Sequence, residues 1–65
     1  MKEYKEIVRL RQLAGNRNSV IYDIHFCNAG VGIIFYDYDT GKKIVTGYYP
    51  TLKSAVLAEI ERFEK

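Results

Sequence analysis

The one histidine and the one cysteine of this chain, His25 and Cys27, stand two residues apart. On an extended strand that spacing puts both on one face, roughly 7 Å apart, an arrangement that invites a thiol nucleophile with its base or a pair of metal ligands. Structural zinc, however, takes about four nitrogen or sulfur donors, and no third ligand or orienting group accompanies the pair. Both residues are therefore expected to serve packing, for which histidine and free cysteine are commonly buried. Asp23, Asp37 and Asp39 are the carboxylates that general acid–base work could use. Asp39 is explained by a turn, and Asp37 by pairing with Lys43 across a hairpin. The glycines Gly15, Gly30, Gly32, Gly41 and Gly47 match no phosphate-cradling pattern, since Gly30-Val31-Gly32 does not open a helix. The sequence thus points away from an enzyme and implies no cofactor and no metal.

The remaining chemistry is recognition. Arg9, Arg11 and Arg17 lie in and after the first segment, and Lys42 and Lys43 follow a turn. With Tyr36 and Tyr38 such cations could track a phosphate backbone while the rings stack on bases. Ten Lys and Arg against eight Asp and Glu leave a net charge of +2, which permits nucleic-acid binding without demanding it. A solvated surface of balanced charge is the plainer explanation. Six tyrosines, Tyr48 among them, also suit a protein interface, because the ring is large and rigid and its hydroxyl stays hydrogen-bonded.

Sixty-five residues make one domain, 1–65, with a small core. Hydrophobic content of 48% with 28% charged residues is that of an ordinary globule. A single cysteine forms no intramolecular disulfide, so a reducing, cytoplasmic compartment is expected. The first six residues hold no apolar stretch and no run of about 18 apolar residues occurs, so neither a signal peptide nor a membrane span is expected. The size suits a bacterial or phage accessory protein.

The elements that must position these groups are clearest in the second half. Leu52, Ala55, Val56, Ile60 and Phe63 fall on one helical stripe, and the spacing predicts a helix from about Leu52. Thr51 is placed to cap it, with Pro50 keeping the preceding residue extended. Before it, β-branched and aromatic residues flank Asp39-Thr40-Gly41, which predicts a hairpin with Gly41 left-handed. Pairing Tyr38 with Lys42 sets Asp37 opposite Lys43 and Tyr36 opposite Ile44. Val20 to Cys27 alternates as a further strand ending at the turn Asn28-Ala29-Gly30. Residues 5–14 are ambiguous. They contain good helix formers with Gly15 as a C-cap, yet Val8 and Leu10 against Arg9 and Arg11 sort somewhat better as a strand.

In that register Ile34, Tyr36, Ile44 and Tyr48 share one sheet face while Ile33, Phe35 and Val45 share the other, so neither face is polar. One helix of about 12 residues is roughly 18 Å long and covers one face only. A second helix from the N-terminal segment shelters the other face, or its tyrosines simply keep their hydroxyls in water, or that face meets a partner. Such a fold is also not expected to enclose a ligand pocket of about 300 Å³ or more.

The run Phe35 to Lys43, followed by Tyr49-Pro50-Thr51-Leu52-Lys53-Ser54-Ala55, resembles the hairpin-then-helix segment of the N-terminal arm-binding domain of tyrosine recombinases. That resemblance covers about half the chain and implies a three-stranded antiparallel sheet on a C-terminal helix, with the sheet entering the DNA major groove. Where the family pattern calls for basic strand positions, this chain has Ile33, Phe35, Val45 and Thr46, and no catalytic recombinase domain is present.

The sequence therefore implies an α+β fold, an antiparallel three- or four-stranded β-meander packed against one C-terminal helix. The expected function is non-enzymatic binding of a protein partner, or of a second copy, through a tyrosine-rich sheet face or a sheet edge. No membrane partner and no small-molecule substrate are expected. The alternative is a nucleic-acid-binding module. The candidate binding residues are Arg9, Arg11, Tyr36, Tyr38, Lys42, Lys43 and Tyr48.

Overall fold

A computed structural model describes residues 4–65. Residues 1–3, part of the segment read for a leader, lie outside the described residues. The order of elements is α1 (Lys5–Asn16), β1 (Ser19–Cys27), β2 (Gly30–Asp37), β3 (Lys42–Val45) and α2 (Leu52–Glu64). The strands form one antiparallel sheet in the order β1-β2-β3, so the fold is α+β as the sequence implies.

α2 starts where its cap dictates. The Thr51 hydroxyl accepts from the Ser54 backbone N–H at 3.1 Å, and the Ser54 hydroxyl accepts from the Thr51 N–H at 3.0 Å. This reciprocal box satisfies two donors that the first turn leaves without helical partners. Ala55, Val56 and Ile60 are then buried against the sheet.

Residues 5–14 are a helix and not the strand that alternation favours. Tyr4, Ile7, Leu10 and Ala14 recur at intervals of three and four residues and all reach the core, with Leu10 and Ala14 fully buried. The alternation of Val8 and Leu10 with arginines sorts only two apolar residues, whereas the helical spacing sorts four. The helix ends at Asn16, and Asn18 takes φ +57°, a left-handed conformation that asparagine tolerates better than most residues.

The β2–β3 register also differs from the expected one, by a single residue. Asp37 pairs with Lys42, Tyr36 with Lys43, Phe35 with Ile44 and Ile34 with Val45. The cause lies in the turn just before β1. The Tyr38 N–H donates to the Asn18 carbonyl at 3.0 Å, which draws Tyr38 out of the hairpin ladder. The turn then closes from Asp37, whose carbonyl accepts from the Gly41 N–H at 2.8 Å, with Gly41 left-handed at φ +70°. A one-residue shift reverses the faces of β3. Ile44 therefore joins the side of Phe35, and Val45 joins Ile34 and Tyr36.

β1 carries a bulge between Ile21 and Asp23, with Tyr22 as the extra residue. β3 is only four residues long, and a single bridge between Val31 and Tyr49 prolongs its path along β2.

Both helices pack on the same face of the sheet. The core joins Leu10 and Ala14 of α1 and Ala55, Val56 and Ile60 of α2 to Val31, Ile33 and Phe35, alternate residues of β2. Each Leu, Val, Ile or Phe side chain so enclosed contributes about 1.5–3 kcal/mol of transfer free energy, and each alanine less. Stacked against each other, the helices leave the opposite face of the sheet without a covering helix or strand among the described residues. The second helix that could have sheltered that face lies elsewhere.

Candidate functional site: an uncovered sheet face

The register defines what the uncovered face presents. Val20, Tyr36 and Lys43 form one row across the strands, and Asp23, Ile34 and Val45 form the next. His25 pairs with Gly32 in a third row, where the Tyr48 ring lies over Gly32. A Cβ built on Gly32 would come within 2.8–2.9 Å of that ring, so glycine is what lets tyrosine lie against the sheet. His25 meets Tyr48 edge-on at 6.1 Å.

Aromatic contacts organise the rest of the surface. Tyr38 packs edge-on to Tyr36 with centroids 5.1 Å apart. The Lys43 ammonium sits 4.2 Å above the Tyr22 ring and donates to the Tyr22 hydroxyl at 3.1 Å. The β1 bulge makes this contact, because the extra residue brings Tyr22 onto the face where Lys43 emerges. Tyr22 remains 55% exposed and Tyr38 59% exposed, and Val45 and Tyr48 are exposed as well. Tyrosines pinned by neighbours while still open to solvent are preordered contact groups, so docking on them costs little side-chain entropy.

The candidate binding residues divide between two surfaces. Tyr36, Tyr38, Lys43 and Tyr48 come together on the uncovered face. Arg9 and Arg11 lie on α1, in the helical layer, where Arg9 pairs with Glu64 of α2. Both partners of that pair are well exposed, so its contribution is about 0–1 kcal/mol. Lys42, opposite Asp37, emerges on the helical side of the sheet. The sequence reading missed Tyr22, whose role depends on the bulge, and Val45, whose face depends on the register.

His25 and Cys27 share the uncovered side of β1, but both are exposed and not buried for packing as expected. Among the described residues no three His, Cys, Asp or Glu side chains group as a metal site. Likewise no described helix is long and apolar enough to cross a membrane.

Among the described residues one buried charge lies on the other side of the sheet. Glu59 is 2% exposed, accepts from the Arg62 Nε at 2.8 Å and also accepts from the Thr46 hydroxyl. It fastens the segment after β3 to α2, and its partners remove the penalty of leaving a carboxylate alone in the interior. Tyr4 is the other enclosed polar group. Its hydroxyl has no hydrogen-bond partner among the described residues, and desolvation, with a smaller effect of Glu6, raises its pKa above 10.0.

Compared with known proteins, the chain matches no family model, no curated protein and no solved structure.

Proposed function

We infer that this chain is a non-enzymatic binding protein that engages a protein through its uncovered sheet face, and that a second copy of the chain is the simplest partner. The observation that carries this reading is the stacking of both helices on the Val31, Ile33 and Phe35 side. That stacking leaves Val20, Ile34, Val45 and four tyrosines on a face that no element among the described residues covers. Desolvating such a surface gives free energy that salt does not screen.

Charge placement supports a second copy. Lys43 lies at the β3 margin of the face and Asp23 in the β1 row. A twofold axis parallel to the strands lays each β3 over the partner's β1 and brings these opposite charges toward one another twice. Three strands about 4.8 Å apart, two of them eight or nine residues long and β3 only four, give a footprint of at most about 14 by 26 Å. That is small beside the roughly 800 Å² per partner of a standard interface, so the dimer should be weak and concentration-dependent.

Light scattering across a concentration series, at low and high salt and with and without a random duplex, tests the reading. Dimers that persist in salt and vanish in Val45→Asp support it, whereas a strict monomer at every concentration rejects the second copy as partner. Nucleic-acid binding is weaker as an explanation, because Arg9, Arg11 and Lys42 stand away from Tyr36, Tyr38 and Lys43. A duplex bound by this face alone should show a salt slope of only about −1 to −2, at about −0.9 per phosphate neutralised.

A further inference from the structure

On the helical side of the sheet, beside the β2–β3 loop, a half-open cleft of about 250 Å³ lies between the hairpin and the end of α2. Phe35, Phe63 and Ile44 supply its apolar lining, and the two phenyl rings meet edge-on at 5.3 Å. Arg17, Arg62, Asp37 and Asp39 line it as well.

Each of these charges is held in place by something other than an opposite charge in the cleft. Arg62 is fixed by buried Glu59 and stands 4.5 Å from the Phe63 ring centre and 5.8 Å from that of Phe35. Arg17 donates to the Phe63 carbonyl at 3.1 Å and the Lys65 carbonyl at 3.4 Å, and stands 6.0 Å from the centre of the Phe63 ring. The Asp37 carboxylate accepts from the Asp39 N–H at 2.9 Å, and the Asp39 carboxylate accepts from the Asn18 amide at 2.7 Å. Among the described residues no ion pair joins either arginine to either aspartate. Flexible side chains of opposite sign sharing a small space ordinarily close on each other. Here the cations are grouped around Phe63 and the anions along the hairpin loop, and anchoring keeps the groups apart.

We propose that this cleft binds a small zwitterion, an α-amino acid with an apolar side chain. The arginines receive its carboxylate, the aspartates its ammonium, and Phe35 and Ile44 its side chain. Charge-assisted bonds to fixed guanidinium and carboxylate groups are the strong, directional kind. A dianion such as phosphate meets the repulsion of the aspartates, and a simple amine that of the arginines. The volume lies below the roughly 300–1,000 Å³ of drug-sized sites, which limits the occupant to about the size of one amino acid. This site is separate from the dimer face, because it lies on the opposite side of the sheet from Val45.

The test is amide chemical-shift titration of the isotopically labelled full chain with leucine, 4-methylpentanoate, 3-methylbutylamine and inorganic phosphate. The standard amino acids are then surveyed in the same way. Leucine should cause saturable shifts confined to the region of Ser19, Asp39, Ile44 and Phe63. The acid and the amine should each bind about tenfold or more weakly, as expected when one charge-assisted bond is lost. Arg17→Gln and Asp39→Asn, both at exposed positions and checked for folding by circular dichroism, should weaken leucine by a similar factor. The proposal is overturned if no amino acid gives a saturable shift, if acid, amine or phosphate binds as tightly as leucine, or if both folded variants bind unchanged.

Discussion

Replacing Gly30 by alanine should remove most of the stability of this fold, while the same substitution at Gly15 should add to it. Gly30 has φ +121°, in a region where a residue with a side chain is strained by about 1–3 kcal/mol. The added Cβ would also lie 2.3 Å from the Tyr49 carbonyl oxygen and 3.0 Å from its carbon. The obstacle is backbone, so no rotamer change relieves it, and the Val31–Tyr49 bridge must open. Two hydrogen bonds go with it, Val31 N–H to Tyr49 O at 2.7 Å and Tyr49 N–H to Val31 O at 2.9 Å. At about 1 kcal/mol net for each bond, the loss together with the strain comes to about 3–5 kcal/mol. A domain of this size has a total stability of only about 3–10 kcal/mol. At Gly15, by contrast, no atom lies within 4 Å of an added Cβ and the backbone is helical, so alanine should gain about 0.5–1 kcal/mol. Urea unfolding followed by far-ultraviolet circular dichroism measures both, with about 4–8 °C of melting temperature per kcal/mol as a second readout. Should Gly30→Ala stay within about 1 kcal/mol of the parent, the bridge and the close approach it depends on are wrong. A partly folded Gly30→Ala should also lose the Tyr48 ring from its place over Gly32, since Tyr49 no longer fixes the chain beside it.

Thr51→Ala removes the side-chain half of the α2 capping box and should cost about 1 kcal/mol by urea unfolding, with Ser54→Ala no larger. The Tyr4 phenol should ionise above the ordinary tyrosine value, read as the difference in ultraviolet absorbance titration between the parent and Tyr4→Phe. Its folded pKa lies above the unfolded value, so its contribution to stability is complete below about pH 10 and is lost as pH rises through the folded pKa. A Tyr4 that titrates at the ordinary tyrosine value would contradict the enclosure of its hydroxyl.

What could be read from the chain beforehand was local. Thr51, Pro50 and the stripe from Leu52 to Phe63 gave the start and inner face of α2, because capping and periodicity act within a few residues. Gly41 announced a left-handed turn position for the same reason. The N-terminal segment is ambiguous in sequence because Arg9 and Arg11 alternate with Val8 and Leu10. Its helical stripe runs through Tyr4, Ile7, Leu10 and Ala14, and Ala14 is too small to weigh much in a pattern until a core closes around it. The hairpin register depended on a bond from Tyr38 to Asn18, 20 residues earlier in the chain, and no local signal carries that. Candidate site residues divided accordingly. Tyr36 and Tyr38 are close in sequence and in space, whereas Arg9 and Arg11 belong to a helix that the strand reading placed in the sheet. Tyr22 joined the face through an insertion in a ladder that alternation treats as regular.

The two borders of the sheet bear on how copies of this chain can assemble. Along β1 the bulge at Tyr22 and Asp23 breaks the even row of backbone donors and acceptors, and β3 offers only four residues before its chain turns aside. Neither rim is a good template for another strand. Growth sideways into ribbons or fibrils is thereby discouraged, and contact through the flat of the sheet uses itself up once two molecules have met. Association through the face proposed above should therefore stop at a pair.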